Sequence, residues 1–197
     1  MGKIFCVMGK SSSGKDTIYK KLKLIYNEFL PITMYTTRPI RNGEHEGVEY
    51  HFVSKEIFNE MNESNKVIEY RTYNTIHGPW TYFTADDGQV NLDQNNYLVI
   101  GTLKSYKSIR DFYGENNVVG IYIEIDDGIR LQRALNREMK EKNPKYEEMC
   151  RRFLADQEDF SEENLKKCNF EKRFENNDLE ACINEIKSFI DDKIILL

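Results

Sequence analysis

The stretch Gly9-Lys-Ser-Ser-Ser-Gly-Lys-Asp-Thr17 holds residue types suited to gripping a polyphosphate. Gly9 and Gly14 permit backbone angles that turn successive N–H groups onto one anion, and Ser11, Ser12 and Ser13 between them line the turn. Lys15 adds a point charge for the outer phosphates, and Thr17 is placed for the inner one. The stretch fills every place of the phosphate-loop pattern but the last, where Asp16 replaces serine or threonine. A carboxylate is also a hard oxygen ligand, so Asp16 reads as the Mg2+ ligand, directly or through water. The plainer reading is that Asp16 caps the helix that follows. Further along, Arg38 and Arg41 flank Pro39 closely enough for both guanidinium groups to close on one phosphomonoester. Tyr50 offers a hydroxyl donor beside them, and Glu69 could accept two donors from one edge of a heterocycle.

These groups need a scaffold. Lys3–Met8 is an apolar run consistent with a strand buried on both faces, directly before the loop. Ile18, Leu22, Ile25 and Phe29 then fall on one helical stripe, and Pro31 is expected to end that helix. Tyr97–Ile100 and Val118–Ile123 read as further buried strands, each leading into a helical segment. Leu179, Cys182, Ile183, Ile186, Phe189 and Ile190 line a last helical face, with Asn177 or Asp178 as its N-cap. Alternating strands and helices imply a parallel α/β sheet with right-handed crossovers. Residues 33–90, rich in Tyr, Thr, Asn and Glu, interrupt that rhythm and read as an inserted lobe.

Bulk properties narrow the class. A chain of 197 residues, 40% hydrophobic and 31% charged, forms one ordinary globular core. Its net charge of −5 disfavours general nucleic-acid binding. Cys6, Cys150, Cys168 and Cys182 show no metal or disulfide spacing, and His45, His51 and His77 show none either. No stretch is apolar enough to span a bilayer or to act as a leader, so a cytoplasmic protein, monomer or homodimer, is expected.

Thr-Thr-Arg38-Pro-Ile-Arg41-Asn-Gly-Glu-His-Glu-Gly-Val-Glu-Tyr50-His-Phe-Val-Ser54 resembles the signature of the guanylate kinase family of nucleoside monophosphate kinases. The resemblance is strongest over residues 1–70 and weakest over 71–117. It implies a P-loop NTPase-type parallel sheet flanked by helices, with core at 1–32, 91–130 and 153–197. It further implies a nucleoside-monophosphate lobe at about 33–90 and a helical lid at about 131–152. It assigns acceptor-phosphate contacts to Arg38, Arg41 and Tyr50, guanine reading to Glu69, and a base or hydroxyl contact to Thr84. Lid arginines would fall on Arg152 and on Arg137 or Arg133, and Asn176 would lie near the adenine of ATP. ATP and Mg2+ are the implied donor and cofactor, GMP or dGMP the implied acceptor.

Departures from the family concentrate on the acceptor side. Met34-Tyr35 stands where the family carries a serine, and His77–Thr84 replaces its Gly-Asn-Tyr-Tyr-Gly-[Ser/Thr] element. Trp80, Tyr82 and Phe83 within it could stack on a base or simply pack the lobe. Val99-Ile-Gly-Thr102 replaces Leu-Asp-Ile-Asp, removing both acids that help place metal and guanine; Asp16 would restore part of that charge. The Gly-Lys-Asp-Thr ending is also similar to that of ribose 1,5-bisphosphate kinases, which need no guanine reader. Non-catalytic guanylate kinase-like modules are the other alternative, although their phosphate loops are typically degraded.

Overall fold

A computed structural model describes residues 1–75 and 78–195. Strand β1 (Ile4–Met8) is buried along its whole length, as its unbroken apolar run requires in a sheet covered on both faces. It pairs in parallel with β7 (Tyr97–Ile100) on one side and β8 (Val118–Glu124) on the other. Strands β2 (Leu30–Pro31) and β9 (Arg173–Glu175) complete a sheet of order β2-β7-β1-β8-β9. Helices α1 (Lys15–Ile25) and α7 (Leu179–Ile195) cover one face through Ile18, Leu22, Ile183, Ile186 and Ile190. Helix α3 (Leu103–Tyr113) covers the other, with Tyr106, Ile109 and Phe160 in its core.

Helix α1 ends earlier than expected. Tyr26 is its C-cap, Ile25 is 40% exposed, and Pro31 lies in β2 instead of stopping a helix. Tyr26 and Phe29 stack at 4.7 Å and Phe29 on Phe5 at 5.5 Å, so the apolar stripe continues as a buried turn. Asp178 caps α7 through the Ala181 N–H at 2.8 Å.

A second sheet, of order β4-β3-β6-β5, stands apart in sequence between β2 and β7. It comprises β3 (Tyr35–Thr36), β4 (His51–Phe52), β5 (Val67–Thr75) and β6 (Gly78–Ala85), with α2 (Lys55–Glu63) beside it. Phe83 anchors it, buried against Tyr35 and Phe58. After β8, α4 (Asp127–Glu138) and α5 (Tyr146–Asp159) form a helical hairpin, followed by α6 (Glu162–Lys166). Among the described residues no helix is long and apolar enough to cross a membrane. His77 lies outside the described residues.

Candidate active site

The glycine loop links the C-terminal end of β1 to α1. Gly14 is its N-cap at φ 94°, and Ser12 also has positive φ, at 62°. A Cβ on Gly14 would sit 2.2 Å from Asn176 Nδ2, so space as well as backbone angle demands glycine there. The loop closes on itself through Ser13 N–H donating to the Lys10 carbonyl at 3.1 Å. Asn176, 2% exposed, donates its amide to the Ser13 carbonyl at 2.7 Å. The positive end of α1 opens at the loop, with Lys15 as its first residue, an arrangement suited to phosphate. Asp16 is exposed, with its carboxylate 3.3 Å from Lys15 Nζ. The Ser12 and Ser13 hydroxyls are buried and without protein partners.

On the second sheet, the guanidinium of Arg38 is almost fully enclosed. Its fork meets Glu44 in two bonds of 2.6 and 2.7 Å, and its Nε donates to the Tyr82 hydroxyl at 3.1 Å. It lies over the rings of Tyr50 (5.2 Å) and Phe52 (5.3 Å). The bond to Arg38 holds the Glu44 carboxyl down at about 2, and the Arg41 backbone N–H adds to it at 2.9 Å. Arg41 itself is exposed, its side chain 6.0 Å from the Trp80 ring. Burial pushes the Tyr50 hydroxyl pKa up from its ordinary value.

Glu69 in β5 lies across from Thr84 in β6, which donates its hydroxyl to Oε1 at 3.1 Å. Glu69 is 8% exposed and its Oε2 has no partner among the described residues. Burial raises its carboxyl pKa, only partly offset by Thr84 and by the charges of Arg71 and Lys104. A buried carboxylate with an open lone-pair site is the group a donor-bearing ligand edge would satisfy.

The guanylate kinase family model matches residues 1–193. The chain belongs to the guanylate kinase family. A guanylate kinase of Neisseria meningitidis serogroup A is 35% identical over 124 residues, which cover 62% of this chain and 58% of the relative. One from Fusobacterium nucleatum is 26% identical over 98% of both chains. The chain thus spans little more than half the length of the Neisseria relative. The crystal structure of guanylate kinase from Anaplasma phagocytophilum superposes with a TM-score of 0.61 at 22% identity, over 98% of this chain and 86% of that one. This likeness carries the fold.

Within that family frame, the residues read from sequence separate into groups. Arg38, Tyr50, Glu69 and Thr84 all sit on the second sheet or its entry loop, and Lys15, Asp16 and Thr17 open α1. Asn176 lies against the phosphate loop through Ser13, and Arg133 reaches its carbonyl at 3.5 Å. Of the two α4 arginines that the resemblance offers for the lid, Arg133 thus touches a neighbour of the loop, while Arg137 lies one turn further along α4; both are exposed. Arg152 on α5 is also exposed and donates to Glu148 at 2.8 Å, as Arg151 does at 2.7 and 2.8 Å. Those arginines, Arg151 foremost, hold the Glu148 carboxyl at about 2.

Sequence reasoning passed over two residues. Tyr82 reads in the sequence only as a packing or stacking group, yet it bonds Arg38; no sequence signal marks this, because the β3–β6 pairing that sets Tyr82 opposite Thr36 exists only in the fold. Glu44 stands in the sequence only as one residue of the signature, yet its carboxylate accepts from both terminal nitrogens of the Arg38 fork. Where the family carries paired aspartates, Thr102 caps α3 in a reciprocal box with Ser105. Gly101 there is held small: a Cβ would come 2.7 Å from Ser105 Oγ.

Proposed function

We propose that the protein transfers the γ-phosphoryl group of ATP to a nucleoside monophosphate, GMP or dGMP, giving ADP and the nucleoside diphosphate. The observation that carries this reading is Glu69, a buried carboxylate with an unpartnered oxygen, on the same sheet as the Arg38–Tyr50–Tyr82 cluster. Guanine presents two adjacent N–H donors on one edge, which match one carboxylate. An acceptor without such an edge leaves Glu69 Oε2 unsatisfied at a cost of about 1–3 kcal/mol.

In this reading the core sheet with α1 holds the donor, residues of about 33–90 hold the acceptor, and residues of about 131–152, the outer part of the α4–α5 hairpin, form the lid. An acceptor phosphate oxygen attacks the γ-phosphorus in line; the bond to the β–γ bridging oxygen breaks, and ADP leaves with the electron pair. The acceptor phosphate is already ionised at neutral pH, so no general base is needed. Lys15 and the loop N–H groups hold the donor phosphates, with Thr17 at the inner phosphate. Arg41 and Tyr50 grip the acceptor phosphate, while Arg38, already engaged by Glu44 and Tyr82, orients the pair. Arg137 and Arg152 close with the lid, Arg152 exchanging Glu148 for the transferring group, which excludes water as it seals.

Among the described residues no group of three or more potential ligands is gathered for a metal. A single exposed carboxylate at Asp16, completed by substrate phosphates and water, nevertheless suits Mg2+, which rarely occupies all-protein cages. Bound there, Mg2+ would neutralise charge on the donor phosphates. Asp16→Ala is expected to raise the Mg2+ concentration for half-maximal rate about tenfold; an unchanged Mg2+ titration would remove Asp16 from that role.

Glu44 offers a separate test. Glu44→Gln keeps the shape but removes the charge that locks the Arg38 fork. The acceptor KM should rise about tenfold with the ATP KM unchanged, because a misplaced clamp costs orientation. An acceptor KM equal to that of the wild type would show Arg38 to be held without it.

The decisive assay couples ADP release with Mg-ATP to GMP, dGMP, AMP, CMP, UMP and ribose 1,5-bisphosphate. Turnover confined to GMP and dGMP is expected. Turnover only on ribose 1,5-bisphosphate would replace the reading, and GMP binding without any turnover would make the chain a binding module.

A further inference from the structure

Among the described residues Arg130 is the largest fully buried side chain, 1% exposed, and a charge placed there is costly unless matched. It is matched on two sides. Its Nε donates to Asp127 at 3.0 Å and its Nη1 to Asp156 at 3.0 Å, with the guanidinium 4.1 Å from the centre of the Phe153 ring. The same Nη1 donates to the Ser11 carbonyl at 3.2 Å, and the same Asp156 oxygen accepts the Ser11 N–H at 2.8 Å. Both peptides flanking the Ser11 Cα are thus held from outside the loop by one ion pair, contributed by α4 and α5.

Peptide planarity turns these contacts into an orientation. In a trans peptide the C=O and N–H point in opposite directions. Asp156 fixes the Ser11 N–H, so the Lys10 carbonyl points the other way, where it accepts the Ser13 N–H at 3.1 Å. Arg130 fixes the Ser11 carbonyl, so the Ser12 N–H must point away from Arg130. Ser12 sits at φ 62°, a conformation unfavourable for a residue with a side chain, and needs outside support to persist. Lys10 is drawn into the same cluster, its ammonium 3.3 Å from Asp127 and bonded to Gln157 on α5.

We propose that Arg130 and Asp156 are positioning residues for the donor nucleotide, aiming the Ser12 N–H at phosphate and tying the base of the α4–α5 hairpin to the loop. This inference rests on the ATP-dependent reading above. It predicts that damage to the pair falls on the donor and spares the acceptor, since neither residue approaches the second sheet's cluster.

The test is calorimetric binding of Mg-ATP and, separately, of GMP, with steady-state kinetics beside it. Asp156→Ala should weaken ATP at least tenfold and raise the ATP KM, while GMP binding stays within twofold. Asp156→Asn, whose Oδ1 can still accept both bonds, should recover most of the ATP affinity and guards against a variant that fails to fold. ATP binding within twofold of wild type in folded Asp156→Ala would overturn the proposal. So would equal weakening of ATP and GMP in both variants, which marks general loosening. Wild-type protein that binds no ATP would instead overturn the donor reading, and this inference with it.

Discussion

Lys15→Met is expected to lower kcat by roughly 100- to 1,000-fold, the scale seen when one preorganised charge facing developing negative charge is removed. The ammonium is 3.3 Å from Asp16, its neighbour in sequence, and 20% of the side chain is exposed. Lys15 belongs to neither apolar cluster, so its loss leaves the core of Ile4–Met8, Ile18 and Leu22 in place, and the melting temperature should stay within a few degrees of wild type. A coupled assay with GMP and a thermal melt on the same preparation check both halves. A kcat within tenfold of wild type would mean that the donor phosphates are held elsewhere.

Glu69→Gln carries the second large effect, with two opposite signs. For GMP, kcat/KM should fall on the order of 100-fold or more, because the amide presents N–H groups where the ligand needs acceptors. For the free protein, the same change should raise stability. Burial lifts the folded-state pKa of Glu69 above its unfolded value, so the folded state binds more protons between those two pKa values. Stability is lost as pH rises through that window, and above it the ionised group destabilises the fold. The neutral amide removes that penalty, so the variant should melt higher without ligand. In the wild type, GMP binding should weaken as pH falls through the raised pKa. A variant that melts lower and retains GMP turnover would make Glu69 an ordinary structural carboxylate.

The opposing signs fit a group retained for function at a stability cost, a pattern local rules break only at sites. Arg130 is likewise a buried charge, held by Asp127 and Asp156, and removing it alone would leave those carboxylates unpaired. Neither residue would be expected from burial preference alone.

Much of this was legible in the chain. The unbroken apolar run of β1, followed by two glycines and a lysine, specified a buried strand, an anion-binding turn and a helix, because those requirements are local. The Asp178 cap and the buried face of α7 follow from helical period in the same way. The twin arginines, Tyr50 and Glu69 were found as residue types suited to a phosphate and a heterocycle edge. The early end of α1 was missed because apolar spacing continues through Tyr26 and Phe29 after the hydrogen bonding stops.

What the tertiary structure alone decided is which side chains are already engaged. Arg38 and Arg41 look equivalent in sequence, yet one is enclosed by Glu44 and Tyr82 and the other is exposed. Arg130 and Asp156, 26 residues apart, meet each other and both flanking peptides of Ser11 only when α4 and α5 fold back beside β1. Period and motif describe what a residue can do within its own element. Partnership across elements depends on distances and angles set by packing, and one dimension does not contain them.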